Sequence, residues 1–198
     1  MTYYRRNIDQ KLLEWKDSPR RKPLLIRGAR QVGKSSAVRH FAKCFKYFVE
    51  VNLERQPSIR QLFTKDIDVK RTCEDISAST GIPIVAGKTL LFIDEIQVSQ
   101  EGIMSLRYFK EDYPELHVIA AGSLLEFTLE ELPSFGVGRI RSLYMYPFSF
   151  DEFLLAQGLD LTIDYKRKAT PGAPIPEAVH NKLVNQLKTF YLVGGMPA

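Results

Sequence analysis

The chain has 198 residues, 44% hydrophobic and 26% charged, enough for one full domain core and the start of a second. No run approaches the ~20 apolar residues of a membrane span, and the opening MTYYRRNIDQ lacks the apolar segment of a secretory signal. Two cysteines, Cys44 and Cys73, are too few for a disulfide framework and have no partner at zinc-ligand spacing, so the counts predict a cytoplasmic protein without membrane contact. Net charge is +5 but uneven: residues 1–50 carry 13 Lys/Arg against 4 Asp/Glu, and residues 51–198 carry 15 against 19. A basic front end suits a phosphorylated ligand, a nucleic-acid backbone or an acidic partner, besides ordinary solvated surface.

Taken in chain order, residues 5–17 place Ile8, Leu12, Leu13 and Trp15 at near-helical spacing and predict an amphipathic helix. SPRRKP breaks it, and LLIR (24–27) reads as a short buried strand. After GARQVGKS, the segment SSAVRHFAKCF keeps helical periodicity through Val38, Phe41 and Phe45, with Cys44 expected on the same core face. KYFVEVNL (46–53) alternates as a strand, and residues 58–80 leave room for one or two short helices. TLLFID (89–94) has the unbroken apolar run of a central parallel strand. A helix over 103–113, a strand over 116–122 and a strand around SLYMYP (142–147) follow, then a helix capped by Ser149 with Glu152 three residues on. Strands alternating with helices predict an α/β fold with a mostly parallel five-stranded sheet. Residues 1–160 form the expected domain; 161–176, rich in proline around YKRKATPGAPIP, read as a linker; and 177–198 read as the start of a helical region cut short. His40, His117 and His180 are too dispersed to suggest a metal site, and the aromatic series Tyr144, Tyr146, Phe148, Phe150 and Phe153 reads as packing.

The strongest signal is Gly28-Ala29-Arg30-Gln31-Val32-Gly33-Lys34-Ser35, which matches G-x-x-x-x-G-K-[ST] between a strand and a helix. Its glycines allow positive φ and close approach to phosphate oxygens, and its N–H groups with the following helix N-terminus, including Ser36, form an anion cradle. Lys34 would reach the β- and γ-phosphates and the Ser35 hydroxyl would join a magnesium shell. Asp94 and Glu95 end the apolar strand where ligands bind in open α/β sheets. Asp94 would hold Mg2+ through water, while Glu95 would orient and deprotonate the attacking water, a base that hydrolysis needs and nucleotide kinases do not. The interval between the two motifs holds the KYFVEV strand, which is expected to insert between their two strands in the sheet.

LLIRGARQVGKSS, TLLFIDEIQ, HVIAAGSLLEF, GVGRI, LYMYPFSFDEF and YLVGGMP together resemble the prokaryotic AAA-type P-loop ATPases that carry a C-terminal domain of unknown function. These are similar in turn to archaeal-type and signal-transducing (STAND) ATPases. The resemblance implies ATP as nucleotide and an effector region, winged-helix-like or nuclease-like, C-terminal to the part present. It assigns Ser123 as the polar residue after the sensor strand, because Ala121 has no hydroxyl, and Arg139 as a transition-state cation acting in cis or from a neighbouring subunit. An alternative for Arg139 is a structural ion pair with Asp151 or Glu152. Gln97 is a further candidate for positioning nucleotide or water. The leading expectation is Mg-dependent ATP hydrolysis that drives a C-terminal effector. The runner-up is an ATP-gated nucleic-acid-binding regulator with little turnover, and a small-molecule kinase ranks last. Oligomeric state stays open.

Overall fold

The computed structural model describes residues 3–63, 67–123 and 138–196. Helix α1 (Asn7–Lys16) leads into β1 (Leu24–Arg27), the glycine loop and α2 (Lys34–Phe41). Strand β2 (Tyr47–Asn52), the short α3 (Pro57–Arg60), α4 (Val69–Thr80), β3 (Thr89–Asp94), α5 (Gln100–Asp112) and β4 (His117–Ala121) follow. After β5 (Arg141–Tyr144) the chain is helical: α6 (Phe150–Ala156), α7 (Asp160–Lys168) and α8 (Glu177–Val193). Among the described residues, no helix is long and apolar enough to cross a membrane.

The described strands form one five-stranded sheet in the order β2-β3-β4-β1-β5, every pair parallel. Parallel strands need crossover helices, and these cover both faces. Leu25, Val49, Val51, Leu91, Ile93, Val118 and Ala120 point to one side, onto Ile76 of α4 and Ile103, Leu106 and Phe109 of α5. Leu24, Ile26, Leu90, Phe92, Ile119 and Ala121 point to the other, onto Leu12 and Trp15 of α1 and Val38 and Phe41 of α2. The alternation in TLLFID thus feeds two cores, which is why the run is apolar throughout. A third cluster joins α6, α7 and α8 through Phe153, Leu154, Ile163 and Leu183, with Phe150 and Phe190 packed against it.

The topology corrects one expectation. A strand does lie between β1 and β3, but it is β4; the KYFVEV strand pairs with β3 on its outer side, Val49 beside Leu91. Sequence order cannot reveal this, because the crossover after β2 is free to pass either way in register. Residues 160–168 form α7 rather than a linker, with Thr162 and Ile163 buried; the irregular stretch is confined to 169–176, where Thr170 bridges Ala173. Cys44 is exposed, not in the core, because α2 ends at Phe41 and tightens into a 3-10 turn that rotates Cys44 off the apolar face. The aromatic series divides: Phe150 and Phe153 pack in the third cluster, whereas Tyr144 and Tyr146 are exposed and stacked, centroids 6.3 Å apart.

Candidate phosphate-binding site

All five strands point their C-terminal ends toward the glycine loop, so the loop, Asp94 and the end of β4 converge on one edge of the sheet. Gly28 has φ +140, and a Cβ there would lie 2.1 Å from the carbonyl oxygen of Met145, so only glycine lets β5's exit pass the loop. Gly33, φ +93, turns the chain into α2 and frees the first N–H groups of that helix toward the loop's centre. Gln31 and Glu95 are non-glycine residues in left-handed conformation, φ 63 and 51, a concentration of backbone strain of the kind that marks functional sites.

Within the loop the Lys34 ammonium donates to the carbonyls of Gly28 (2.8 Å) and Ala29 (2.7 Å), which aims it across the cradle. The Ser35 hydroxyl donates to Asp94 Oδ2 at 2.8 Å, while Asp94 Oδ1 accepts the backbone N–H of Glu95 at 3.1 Å. Burial raises the Asp94 carboxyl's pKa above its ordinary value, against the lowering effect of the hydrogen bonds from Ser35 and Glu95 N–H. Such a carboxylate gains from a cation beside it. Ser35 and Asp94 are two hard oxygen donors at a phosphate cradle, a set that fits magnesium, which takes few protein ligands and completes its shell with phosphate and water.

Glu95 is held by Gln97, whose Nε2 donates to Glu95 Oε2 at 2.6 Å. Ser123, buried just past β4, accepts a hydrogen bond from Arg30 Nε at 3.3 Å. Ser123 lines one open cavity of ≈ 520 Å³ together with Arg30, Gln31, Gly33, Lys34, Ser35, Ser36, Asp94 and Glu95, while Gln97 stands behind Glu95. The residues singled out in the two motifs and after the sensor strand are therefore brought together. Arg139 is not. It precedes β5 at the strands' N-terminal edge and pairs with Glu111 near the end of α5. The whole length of β5, ~10 Å or more at ~3.3 Å per residue, separates that edge from the loop. Its partner is neither Asp151, which pairs with Lys166 and Arg167, nor Glu152. The LLEF stretch after Ser123 and the first two residues of GVGRI lie outside the described residues.

Sequence inspection missed the far wall of the cavity, formed by Tyr3, Tyr4, Arg6 and Phe148. Tyr4 meets Phe148 edge-on at 6.3 Å, and Tyr3 stacks on His40 at 4.0 Å. Tyr3 also hydrogen-bonds Asp9, and burial with that bond raises its phenol pKa far above the usual value. The only hint was the YYRR cluster directly before α1.

An AAA domain family model matches residues 20–154, from the turn before β1 into α6. Solved structures share the fold at low identity. A Walker-type ATPase of Pyrococcus abyssi superposes with TM-score 0.56 at 20% identity, over 98% of this chain and 65% of its own. A Drosophila ORC structure bound to DNA gives 0.53 at 16% identity, over 93% and 56%. The Aeropyrum pernix ORC1 protein in complex with DNA gives 0.50 at 13% identity, over 80% and 50%. The chain thus spans between half and two thirds of the length of these structures. No curated protein matches the sequence. With a phosphate loop on β1, paired carboxylates ending β3 and β4 between them, the chain belongs to the AAA domain family.

Proposed function

We propose that this chain binds ATP with Mg2+ and hydrolyses its β–γ bond, using the change at the loop to drive an effector C-terminal to the AAA domain. The observation that carries the reading is the Ser35–Asp94 hydrogen bond beside Lys34, with Glu95 in the same cavity. Phosphate oxygens take the place of the Gly28 and Ala29 carbonyls on the Lys34 ammonium, and the loop N–H groups with the start of α2 neutralise further charge. Ser35, and Asp94 through water, would hold magnesium, which would supply neutralisation of the phosphate charge. Glu95 accepts a proton from water as that water attacks the γ-phosphorus; the bond to the bridging oxygen breaks and ADP leaves with inorganic phosphate. Gln97 fixes the direction of the Glu95 carboxylate, and Ser123 and Arg30 face the departing phosphoryl group. The aromatic wall of Tyr3, Tyr4 and Phe148 is the surface against which the base packs. Arg139 enters this reading only as a cation offered to the site of a neighbouring copy. A C-terminal domain of unknown function, as in the STAND-like relatives the motifs resemble, is the effector the reading implies.

Phosphate release from MgATP by the wild-type chain, with Lys34→Ala and Glu95→Gln alongside, tests it. Lys34→Ala is expected to lose nucleotide binding, and Glu95→Gln to bind but turn over ~10²–10⁴-fold more slowly. Equal hydrolysis by wild type and Glu95→Gln would sink the reading.

A second reading, nucleic-acid binding gated by ATP, has one observation in its favour besides the DNA complexes of two structural neighbours. Lys46 and Lys88 stand immediately before β2 and β3, Lys22 two residues before β1, and Arg141 opens β5, so they line the strand-start edge of the sheet, away from the phosphate loop. Asp17, Glu111, Asp112 and Glu115 lie at the same edge and offset part of this charge. Binding to a random-sequence duplex that weakens by close to one log unit per log unit of salt for each phosphate contact would support the reading. Absence of binding at low salt would remove it.

A further inference from the structure

Arg6 has a partner on each of its three guanidinium nitrogens, and the chemistry of hydrolysis makes no use of it. Its guanidinium is buried, with a relative exposure of 6% for the residue. Nε donates to Glu152 Oε1 at 3.0 Å, Nη1 to the carbonyl of Val32 at 2.9 Å and Nη2 to the carbonyl of Tyr146 at 2.8 Å. The planar group also lies over the Phe148 ring, 4.2 Å from its centroid. One side chain therefore grips the phosphate loop at Val32, the strap that leaves β5 at Tyr146, and the first turn of α6 at Glu152. A lysine would place a single ammonium there and could not form this fork.

The far ends of the network are fixed as firmly. Glu152 Oε1 accepts the Asn7 N–H at 2.7 Å and Oε2 accepts the Ser149 N–H at 2.8 Å, while the Ser149 hydroxyl caps Glu152 N–H. Burial tends to raise the Glu152 pKa, but these N–H donors and Arg6 together hold its carboxyl below the usual glutamate value. Phe148 N–H donates to the carbonyl of Gly195, just beyond α8, at 2.6 Å. A Cβ on Gly195 would sit 2.6 Å from the Phe148 carbonyl, so the end of α8 is packed onto the strap. Phe148 itself forms part of the cavity wall.

We propose that Arg6 is a positioning residue that couples the phosphate loop to the three C-terminal helices, so that nucleotide occupancy at Val32 and Phe148 is felt at Glu152 in α6 and at Gly195 beyond α8. Loop, strap and α6 are connected through one hydrogen-bonded assembly centred on the guanidinium. If phosphate re-seats the loop, the Val32 carbonyl moves relative to Arg6. The guanidinium cannot follow it without altering its bonds to Tyr146 and Glu152, because its donors are fixed in one plane. A buried charge left without its partner is unfavourable, so the group shifts as a unit rather than breaking. The output is a change in how α6 and the end of α8 sit against the strap. This inference rests on the nucleotide-binding reading above and assigns the route by which it reaches the C-terminal helices.

The test is amide hydrogen exchange on the wild-type chain, Arg6→Lys and Glu152→Gln, each free and saturated with MgATP, with Lys34→Ala as the non-binding control. In wild type, nucleotide is expected to slow exchange in residues 28–36 and also in 148–156 and 190–196. Arg6→Lys, having lost fork geometry but kept its charge, is expected to bind ATP ~10-fold or more weakly. At saturation it should still protect 28–36 and lose the nucleotide-dependent protection at 190–196. Glu152→Gln, nearly isosteric, should reduce the remote protection in the same direction, which gives a reading if the lysine variant does not fold. Remote protection that persists in a folded, saturated Arg6→Lys chain overturns the coupling. So does a wild type protected at 28–36 alone. A wild type that shows no protection at 28–36 under saturating MgATP overturns the nucleotide-binding reading itself, and the coupling with it.

Discussion

Gly28→Ala is the sharpest single-residue test of the loop's geometry. The added Cβ lies 2.1 Å from the Met145 carbonyl oxygen, and ordinary contacts of this kind do not fall below 3.0 Å, so backbone must move by close to an ångström. Neither side yields easily, because Met145 N–H is bonded to the Arg27 carbonyl at 2.8 Å and Met145 is itself buried. The alanine must also adopt φ near +140, a region costing about 1–3 kcal/mol for a residue with a side chain. Forcing apart packed backbone adds about 1–3 kcal/mol. The expected loss is therefore about 2–6 kcal/mol, a large part of the stability of about 5–15 kcal/mol typical of a domain. Urea unfolding followed by circular dichroism reads this directly. With a slope of about 2 kcal/mol per molar, the midpoint should fall by roughly 1–3 M. Gly81→Ala is the internal comparison: its φ is +70, yet no atom lies within 4 Å of the added Cβ, so only about 1 kcal/mol of backbone preference is lost. A Gly28→Ala chain no less stable than Gly81→Ala would refute the close approach of loop and strap.

Asp94→Asn keeps an acceptor for Ser35 but removes the charge, so the enhancement of ATP affinity by magnesium is expected to vanish while metal-free binding survives; a titration with and without Mg2+ decides this. His117 is buried against Trp15 and Phe45, and burial, helped by Arg21, lowers its pKa to about 4 from 6.5. Because the folded value is the lower one, stability is unaffected above pH 6.5 and falls as pH drops from 6.5 toward 4, by up to about 3 kcal/mol. His117→Phe should flatten that part of the profile, and an unchanged slope in the variant would exclude His117 as its source. Arg139→Ala, which among the described residues breaks a pair with Glu111 at the opposite sheet edge, is expected to leave the ATP affinity of the monomeric chain within about twofold. A tenfold loss by fluorescence titration would place Arg139 near the loop after all.

The phosphate loop and its carboxylates were legible because their chemistry dictates spacing along the chain. Two glycines, a lysine and a serine must take four fixed places within eight consecutive positions, and Asp94 must end a strand that its apolar run identifies. The Ser149–Glu152 cap was legible for the same reason, since both partners lie within one turn. What escaped was set by tertiary approach. Nothing local in Arg6 foretells that it meets Glu152, 146 positions away, or that the strap beyond β5 passes over Gly28. The place of β2 outside β3 depends on which way a crossover turns, and parallel register alone does not encode it. Cys44 failed for a smaller reason: a helix that tightens by one turn moves every later residue to another face.

The charge asymmetry changes meaning once the basic residues of the first 50 positions are placed. Arg6, Lys34 and Arg30 serve the phosphate site or its frame, Arg39 pairs with Glu50, and Lys16 pairs with Asp17. Arg21 is spent on the carbonyls of Lys16, Pro114 and Glu115, and Arg27 lies over the Tyr144 ring. The first quarter of the chain, which carries the glycine loop of the candidate phosphate site, is basic in part because an anion cradle and its supports need cations, so the front-end excess is no independent argument for nucleic acid. Among the described residues, only Lys22, Lys46, Lys88 and Arg141, at the strand-start edge opposite the phosphate loop, favour a nucleic-acid partner by their position. The two readings are therefore separable by position. Charge reversal at Lys46 and Lys88 can alter polyanion binding without disturbing the Ser35–Asp94 pair, because the full length of β3 lies between them.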